Sequence, residues 1–308
     1  MRRILPGLLA LAVVACVEVG QVPERAVETS SANASGFPLI PADAGLEWVD
    51  SLERDPRTGP LPEDSLLAAE IRYGYELVRH TAERLPDNVG NELSCANCHM
   101  NAGQRDAALP WVGIAGLFPV PRSREGRLFS LTDRISGCFL RSMNGTPPAH
   151  DSREMLAMVA YITWLSEGQP VGEAPPWRGR NDIPEDARLP IERLDVARGE
   201  TVYQQCIACH GLDGQGIDVG VKPGPLWGPG SWNDGAGMAR IYTAAAFIRH
   251  AMPLTAPGSL SDEDAQHVAA FINSKDRPVY PDKASDYPDG APVDAVYYPR
   301  YPQHPLRR

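Results

Sequence analysis

Cys95-Ala96-Asn97-Cys98-His99 and its echo Cys206-Ile207-Ala208-Cys209-His210 decide how this chain is built. Cys-x-x-Cys-His is the attachment signature of c-type haem. Cys95 and Cys98, and likewise Cys206 and Cys209, are placed to form thioethers to a porphyrin edge. His99 and His210 follow directly and supply one iron ligand each. A tetrahedral zinc site also uses Cys-x-x-Cys pairs. The histidine in both copies, together with an export leader, favours two covalently bound haem c groups.

The leader is Met1-Arg2-Arg3 followed by an apolar stretch from Ile4 to Ala15. A basic start and a short apolar core form an export signal over residues 1–16, too short for a stable membrane span. It ends in Val13-Val14-Ala15-Cys16, which is similar to a bacterial lipoprotein box. The expectation is a periplasmic protein, with Cys16 a candidate lipid anchor to the membrane and ordinary cleavage nearby as the alternative. Four of the six cysteines belong to the haem motifs and Cys16 to the leader, leaving Cys138 alone. It has no disulfide partner, so it is a candidate reactive thiol.

The formal charge of −10 becomes −12 once Arg2 and Arg3 are removed. Such a balance excludes nucleic acid as a partner and leaves an anionic substrate in need of local compensation. The stretch from Arg122 to Arg141 supplies it. Five arginines (122, 124, 127, 134 and 141) stand there against Glu125 and Asp133. Haem propionates or a solvated loop would use some of them, and an anionic small substrate would suit the rest.

Apolar spacing predicts a helix from Asp64 to Arg84 leading into Cys95, and another from Asp151 to Ser166 with Asp151 as cap. Cys138 falls in the long loop between them. The plan repeats with a helix over Leu194–Gln205, a loop-rich gap from Gly211 to Gly258, and a closing helix over Ser261–Ser274 capped by Ser261. Helix, Cys-x-x-Cys-His, ligand loop, closing helix is the plan of a class I cytochrome c domain. The fold class is therefore mainly α, with two such domains in tandem, each enclosing one haem. The boundaries are a tether over 17–45, a first domain over 46–170 with the catalytic haem, a linker over 171–190, a second domain over 191–276 with the electron-transfer haem, and a tail over 277–308. The tail, with seven prolines and five tyrosines, reads as an extended strap or a partly disordered end.

Each low-spin haem needs a sixth ligand. Met252, in Met252-Pro253 and 42 residues after His210, is the candidate in the second domain, with Met238 as runner-up. The corresponding distance in the first domain lands on Cys138, 39 residues after His99, with Met143 as the alternative. Arg134 and Arg141 flank Cys138, and guanidinium groups favour thiolate. A thiolate ligand lowers haem potential, which suits a place where chemistry happens.

These motifs resemble the thiosulfate dehydrogenase family of dihaem cytochromes c, from about Leu93 to Pro278. The resemblance rests on Leu93-Ser94-Cys95 through His99, Pro110-Trp111-Val112-Gly113 and Asp133-Arg134-Ile135-Ser136-Gly137-Cys138-Phe139. Further matches are Arg141-Ser142-Met143-Asn144-Gly145, Glu154 to Leu165, Pro225-Leu226-Trp227-Gly228-Pro229 and Gly235-Ala236-Gly237-Met238. It implies an oxidoreductase that joins two thiosulfates into tetrathionate, often reversibly, and passes the electrons to an external acceptor such as a small cytochrome c. It also implies His99/Cys138 ligation at the first haem, with Cys138 catalytic, Arg124 and Arg134 as substrate-site arginines and Ser142 as a weaker match. Some members place a lysine directly before the second haem's methionine; here that position is Ala251, which implies plain His210/Met252 ligation. Two rivals remain at this level: a dihaem electron shuttle in which Cys138 only tunes potential, and a sulfur-oxidation cytochrome acting on carrier-bound sulfur.

Overall fold

The computed structural model describes residues 39–179 and 181–298; the leader, Cys16 and most of the 17–45 segment lie outside them. In chain order the helices are α1 (Ser65–Arg79), α2 (Thr81–Arg84), α3 (Met100–Gly103), α4 (Leu131–Arg141), α5 (Arg153–Trp164), α6 (Val196–Tyr203), α7 (Ile207–His210), α8 (Ile241–Ala251) and α9 (Asp262–Ser274). A two-stranded antiparallel ribbon, β1 (Val120–Arg122) and β2 (Arg127–Phe129), is the sole sheet among them, in the register Arg122 opposite Arg127. None of these helices is long and apolar enough to cross a membrane.

Both domains are built on one helix crossing. In the first, α1 lies on α5 so closely that a Cβ on Gly74 would sit 2.0 Å from the Ala157 carbonyl oxygen. In the second, α6 lies on α9, and a Cβ on Gly199 would sit 2.1 Å from the carbonyl of His267. Only glycine permits that backbone approach. The Tyr75–Tyr161 and Tyr203–Phe271 ring pairs, with centroids 5.8 and 5.2 Å apart, pack beside the two crossings. Both are buried aromatic pairs of the kind that fixes a helix angle. The mainly helical tandem of cytochrome c-type domains is the fold.

Several elements differ from the sequence expectation. The helix predicted through Arg84 stops at His80, whose backbone (φ −125°, ψ 41°) leaves the helical region, and restarts as α2. Thr81, fully buried at this break, donates its hydroxyl to the Leu77 carbonyl and accepts the Cys95 backbone N–H at 3.1 Å. The interruption thus ties the first haem peptide to the end of α1. Ser152, not Asp151, caps α5: its hydroxyl accepts from the Met155 N–H at 3.2 Å. Ser261 caps α9 as expected.

Cys138 lies within helix α4 and not in a loop. Ser130 and Asp133 form a reciprocal capping box at its start, and Ile135 and Phe139, one turn apart, bury its inner face. Within the gap expected to be loop-rich, α8 is an eleven-residue helix whose Ala244-Ala245-Ala246 run is buried. The 17–45 tether does not extend to residue 45: Leu39, Ile40 and Ala44 are buried, and Ile40 exchanges backbone hydrogen bonds with Gln104 and Asp106.

The 171–190 linker is fastened down. Trp177 is buried and donates to the Val112 carbonyl at 2.9 Å, and Leu189 donates to the Gln266 side chain at 2.8 Å. The described tail crosses both domains, through Asp286 to Arg141 of the first and Asp294 to Arg240 of the second.

Candidate functional site

The first domain encloses a cavity of about 330 Å³. Cys95, Cys98 and His99 line it together with Arg134 and Cys138 of α4 and Ser142 at the C-cap of that helix. Trp111, Leu109, Met158 and Ile162 make most of the remaining wall apolar. The donor set fits a covalently attached haem. Cys95 and Cys98 are free thiols pushed up to about 12 by burial, so both are neutral. His99 is pushed down to about 4, again by burial, which keeps its imidazole neutral and able to ligate. Its Nδ1 donates to the Leu109 carbonyl at 2.6 Å, leaving Nε2 as the nitrogen available to a metal. A hydrogen bond of this kind fixes tautomer and ring orientation.

In the same cavity, Arg134 Nη1 donates to Cys138 Sγ at 3.0 Å. The two residues are one helical turn apart, so α4 itself sets their spacing. The Cys138 sulfur beside it raises the Arg134 pKa, so the guanidinium stays protonated. Ser142 closes the same helix, its backbone N–H donating to the Cys138 carbonyl at 2.8 Å, and Met143 also lines the cavity.

The other arginines of the basic stretch divide sharply. Arg122, carried in by β1, lines the cavity, and burial with the charge of Arg134 lowers its pKa. Arg124 does not line it: its Nε donates to the Tyr287 hydroxyl at 3.0 Å and its Nη1 to the Gly235 carbonyl at 2.9 Å. Arg127 pairs with Asp133 at 3.0 Å, which holds that carboxyl well below the usual range. Arg141 is buried against Asp286, with both guanidinium nitrogens at 2.6 Å from carboxylate oxygens. Cys138, Arg134 and Ser142 are thus brought together, Arg124 is directed into the tail, and Arg122 takes a place at the cavity. Its only signal in the sequence is membership of the basic stretch.

The second cavity, about 210 Å³, is lined by Cys206, Cys209 and His210, with Met238 and Met252 both facing it. Burial pushes the Cys206 thiol up to about 11 and His210 down to about 4. His210 Nδ1 is buried without a hydrogen-bond partner among the described residues. The fit to a second haem repeats that of the first. Met252 stands at the C-cap of α8, and Ala251 before it is buried against Met100, Ala108 and Phe247. Leu93 and Cys98 line both cavities, so a single layer of side chains separates them.

Comparisons with known proteins bear on the family and the fold. Residues 87–171 match the family model described as SoxA/TsdA, cytochrome c domain. Residues 194–272 match that described as cytochrome C oxidase, cbb3-type, subunit III. A thiosulfate dehydrogenase of Allochromatium vinosum is 44% identical over 240 residues, covering 75% of this chain and 86% of its own. One from Stutzerimonas stutzeri is 42% identical over 242 residues, with 77% of each chain covered. A solved structure, thiosulfate dehydrogenase (TsdBA) from Marichromatium purpuratum in its as-isolated form, superposes with a TM-score of 0.66 at 38% identity. It covers 72% of this chain, which spans about half (49%) of that longer one. With two haem c domains and relatives of this identity across most of its length, the chain belongs to the thiosulfate dehydrogenase family of dihaem cytochromes c.

Proposed function

We propose that this protein oxidises two thiosulfates to tetrathionate at the first cavity, with Cys138 as both ligand and nucleophile. The observation that carries the reading is the Arg134–Cys138 pair at 3.0 Å, lining the same mostly apolar cavity as His99. A sulfur held by a fixed cation in the cavity of a haem-motif histidine is poised for chemistry on an anion.

The reaction converts two thiosulfate dianions into one tetrathionate dianion and two electrons. The first sulfur–sulfur bond forms between the sulfane sulfur of one thiosulfate and Cys138 Sγ, and two electrons are lost in forming it. Bound haems supply the sink for those electrons, one each, ahead of an external acceptor such as a small cytochrome c. The second thiosulfate then attacks the sulfane sulfur of the adduct, tetrathionate leaves, and Cys138 departs as thiolate without further redox change. Arg134, donating to Sγ, stabilises that leaving thiolate. Bringing two dianions to about 4 Å involves four repulsions of about 4 kcal/mol each at an effective dielectric of 20. Arg122 and Arg134 stand where that repulsion develops, and Ser142 can donate to a sulfonate oxygen. Arg124 supports the site through the tail. His210 and Met252 hold the second haem, and export to the periplasm, with Cys16 as lipid anchor, puts the enzyme where c-type haem is attached.

The test is anaerobic addition of thiosulfate to the fully oxidised protein, with haem reduction and tetrathionate followed in one sample. Reduction with stoichiometric tetrathionate is expected, and Cys138→Gly should abolish both while keeping two attached haems. A parent protein that dithionite reduces and thiosulfate does not would leave it an electron shuttle or a cytochrome acting on carrier-bound sulfur.

A further inference from the structure

Between the histidine of the first haem motif and Trp111 the backbone is unusually contorted. Asn101, Ala102, Ala107 and Leu109 all hold positive φ, at 51°, 51°, 59° and 54°. L-residues enter this region against a steric penalty, and several so close together persist only where surrounding structure enforces them. Two sets of contacts enforce this loop. Inwardly, the Leu109 carbonyl accepts the His99 Nδ1 hydrogen bond at 2.6 Å. Outwardly, Met100, which follows His99, and Ala108, which precedes Leu109, pack with Phe247 and Ala251 of α8 in one buried cluster. Leu109 packs against this cluster, and so do Met252 and Met238 from the second haem site.

We propose that this apolar joint couples the two haem ligand sets, with Leu109 as the positioning residue on the first-haem side. Ala251 is the residue before Met252, so a shift of the methionine turn moves a wall of the joint. Close-packed interiors transmit such a displacement, because they lack the space to absorb it. On the other wall it reaches the carbonyl that holds His99. The strength of the Nδ1–H···O=C bond sets how strongly the imidazole donates to its metal. The potential of the first haem therefore depends on the ligand state of the second. In a protein that gives up two electrons through two one-electron centres, such a link orders their departure. The inference rests on His99 ligating the first haem. It does not need the thiosulfate chemistry, and it survives exchange of Met252 for Met238 as ligand.

Leu109→Ala keeps the carbonyl and empties the side chain's place in the joint. The full-length dihaem protein is titrated spectroelectrochemically, with the low-spin EPR signals of the two haems followed separately. The loosened His99 hydrogen bond should favour the reduced first haem about threefold at fixed potential, an upward shift of about 28 mV at 59 mV per decade. Such a size is ordinary for residues that carry coupling between sites. Leu109→Met, which refills the joint, should restore the parent potential. Should Leu109→Ala fail to load haem, Phe247→Leu perturbs the same joint from α8 and should also move the first haem's signal. A first haem unmoved by whichever variant carries both haems, even if the second haem shifts, overturns the proposal.

Discussion

Replacing Arg134 by Gln removes the guanidinium that donates to Cys138 Sγ and leaves the helix that carries both intact. The Ser130–Asp133 capping box and the buried Ile135 and Phe139 do not depend on Arg134, so α4 should persist. The loss can be bounded from the 3.0 Å contact. Opposite unit charges about 3 Å apart attract by about 5–6 kcal/mol at an effective dielectric of 20. Water admitted to the vacated space, and Arg122 in the same cavity, return part of this. What remains is about the worth of a hydrogen bond to a charged group, 1.5–3 kcal/mol. At 1.36 kcal/mol per decade, the upper end is about a hundredfold in kcat/KM for thiosulfate. Arg134→Lys, which keeps a point charge without the planar fork, should lose about tenfold. The assay is steady-state tetrathionate formation with an artificial acceptor, normalised to haem content. A fully loaded Arg134→Gln protein within threefold of the parent would refute the claim that this guanidinium stabilises the Cys138 thiolate.

Arg122 and Arg124, two positions apart in the chain, should behave oppositely. Arg122→Gln, in the cavity wall, should raise the thiosulfate KM several-fold with little change in thermal stability. Arg124→Gln, bonded to Tyr287 and Gly235, should lower stability by about 1–3 kcal/mol in chemical denaturation and leave KM near the parent value. The reverse pattern would return Arg124 to the substrate. Asp286→Ala strips the buried Arg141 of its carboxylate partner, and a lone buried charge of this kind costs about 3–5 kcal/mol. Glu125, 3.7 Å from Arg141, puts the expectation at the lower end. At about 2–4 °C per kcal/mol, calorimetry should find Tm lowered by roughly 10 °C, and an unchanged Tm would mean the tail does not hold the first domain.

What the sequence makes legible here is local chemistry repeated at domain scale. Cys-x-x-Cys-His carries its own geometry, because attachment and ligation come from five adjacent residues, and the helices on either side announce themselves by periodicity. The tandem fold follows from those alone. Side-chain direction is where the reading runs out. Arg122 and Arg124 are two positions apart on a short ribbon and share composition and charge, yet one lines the cavity and the other donates to Tyr287, 163 residues away in the chain. No local signal separates them, because the partner that decides is in the tail. Cys138 was displaced for a related reason. It falls between two strongly periodic helices, whereas the Ser130-x-x-Asp133 box that starts α4 is a weaker variant of the usual Ser/Thr-x-x-Glu pattern. The correction matters to function. On a loop, the Arg134–Cys138 contact would be one conformation among many; on α4 it is a one-turn spacing held by the backbone, so the cation stands beside the sulfur before substrate arrives. Electrostatic stabilisation is worth most when its dipoles and charges need no reorganisation at the moment of reaction. On the proposed reading, the helix is thus what would turn a basic stretch in an acidic protein into a preorganised anion site.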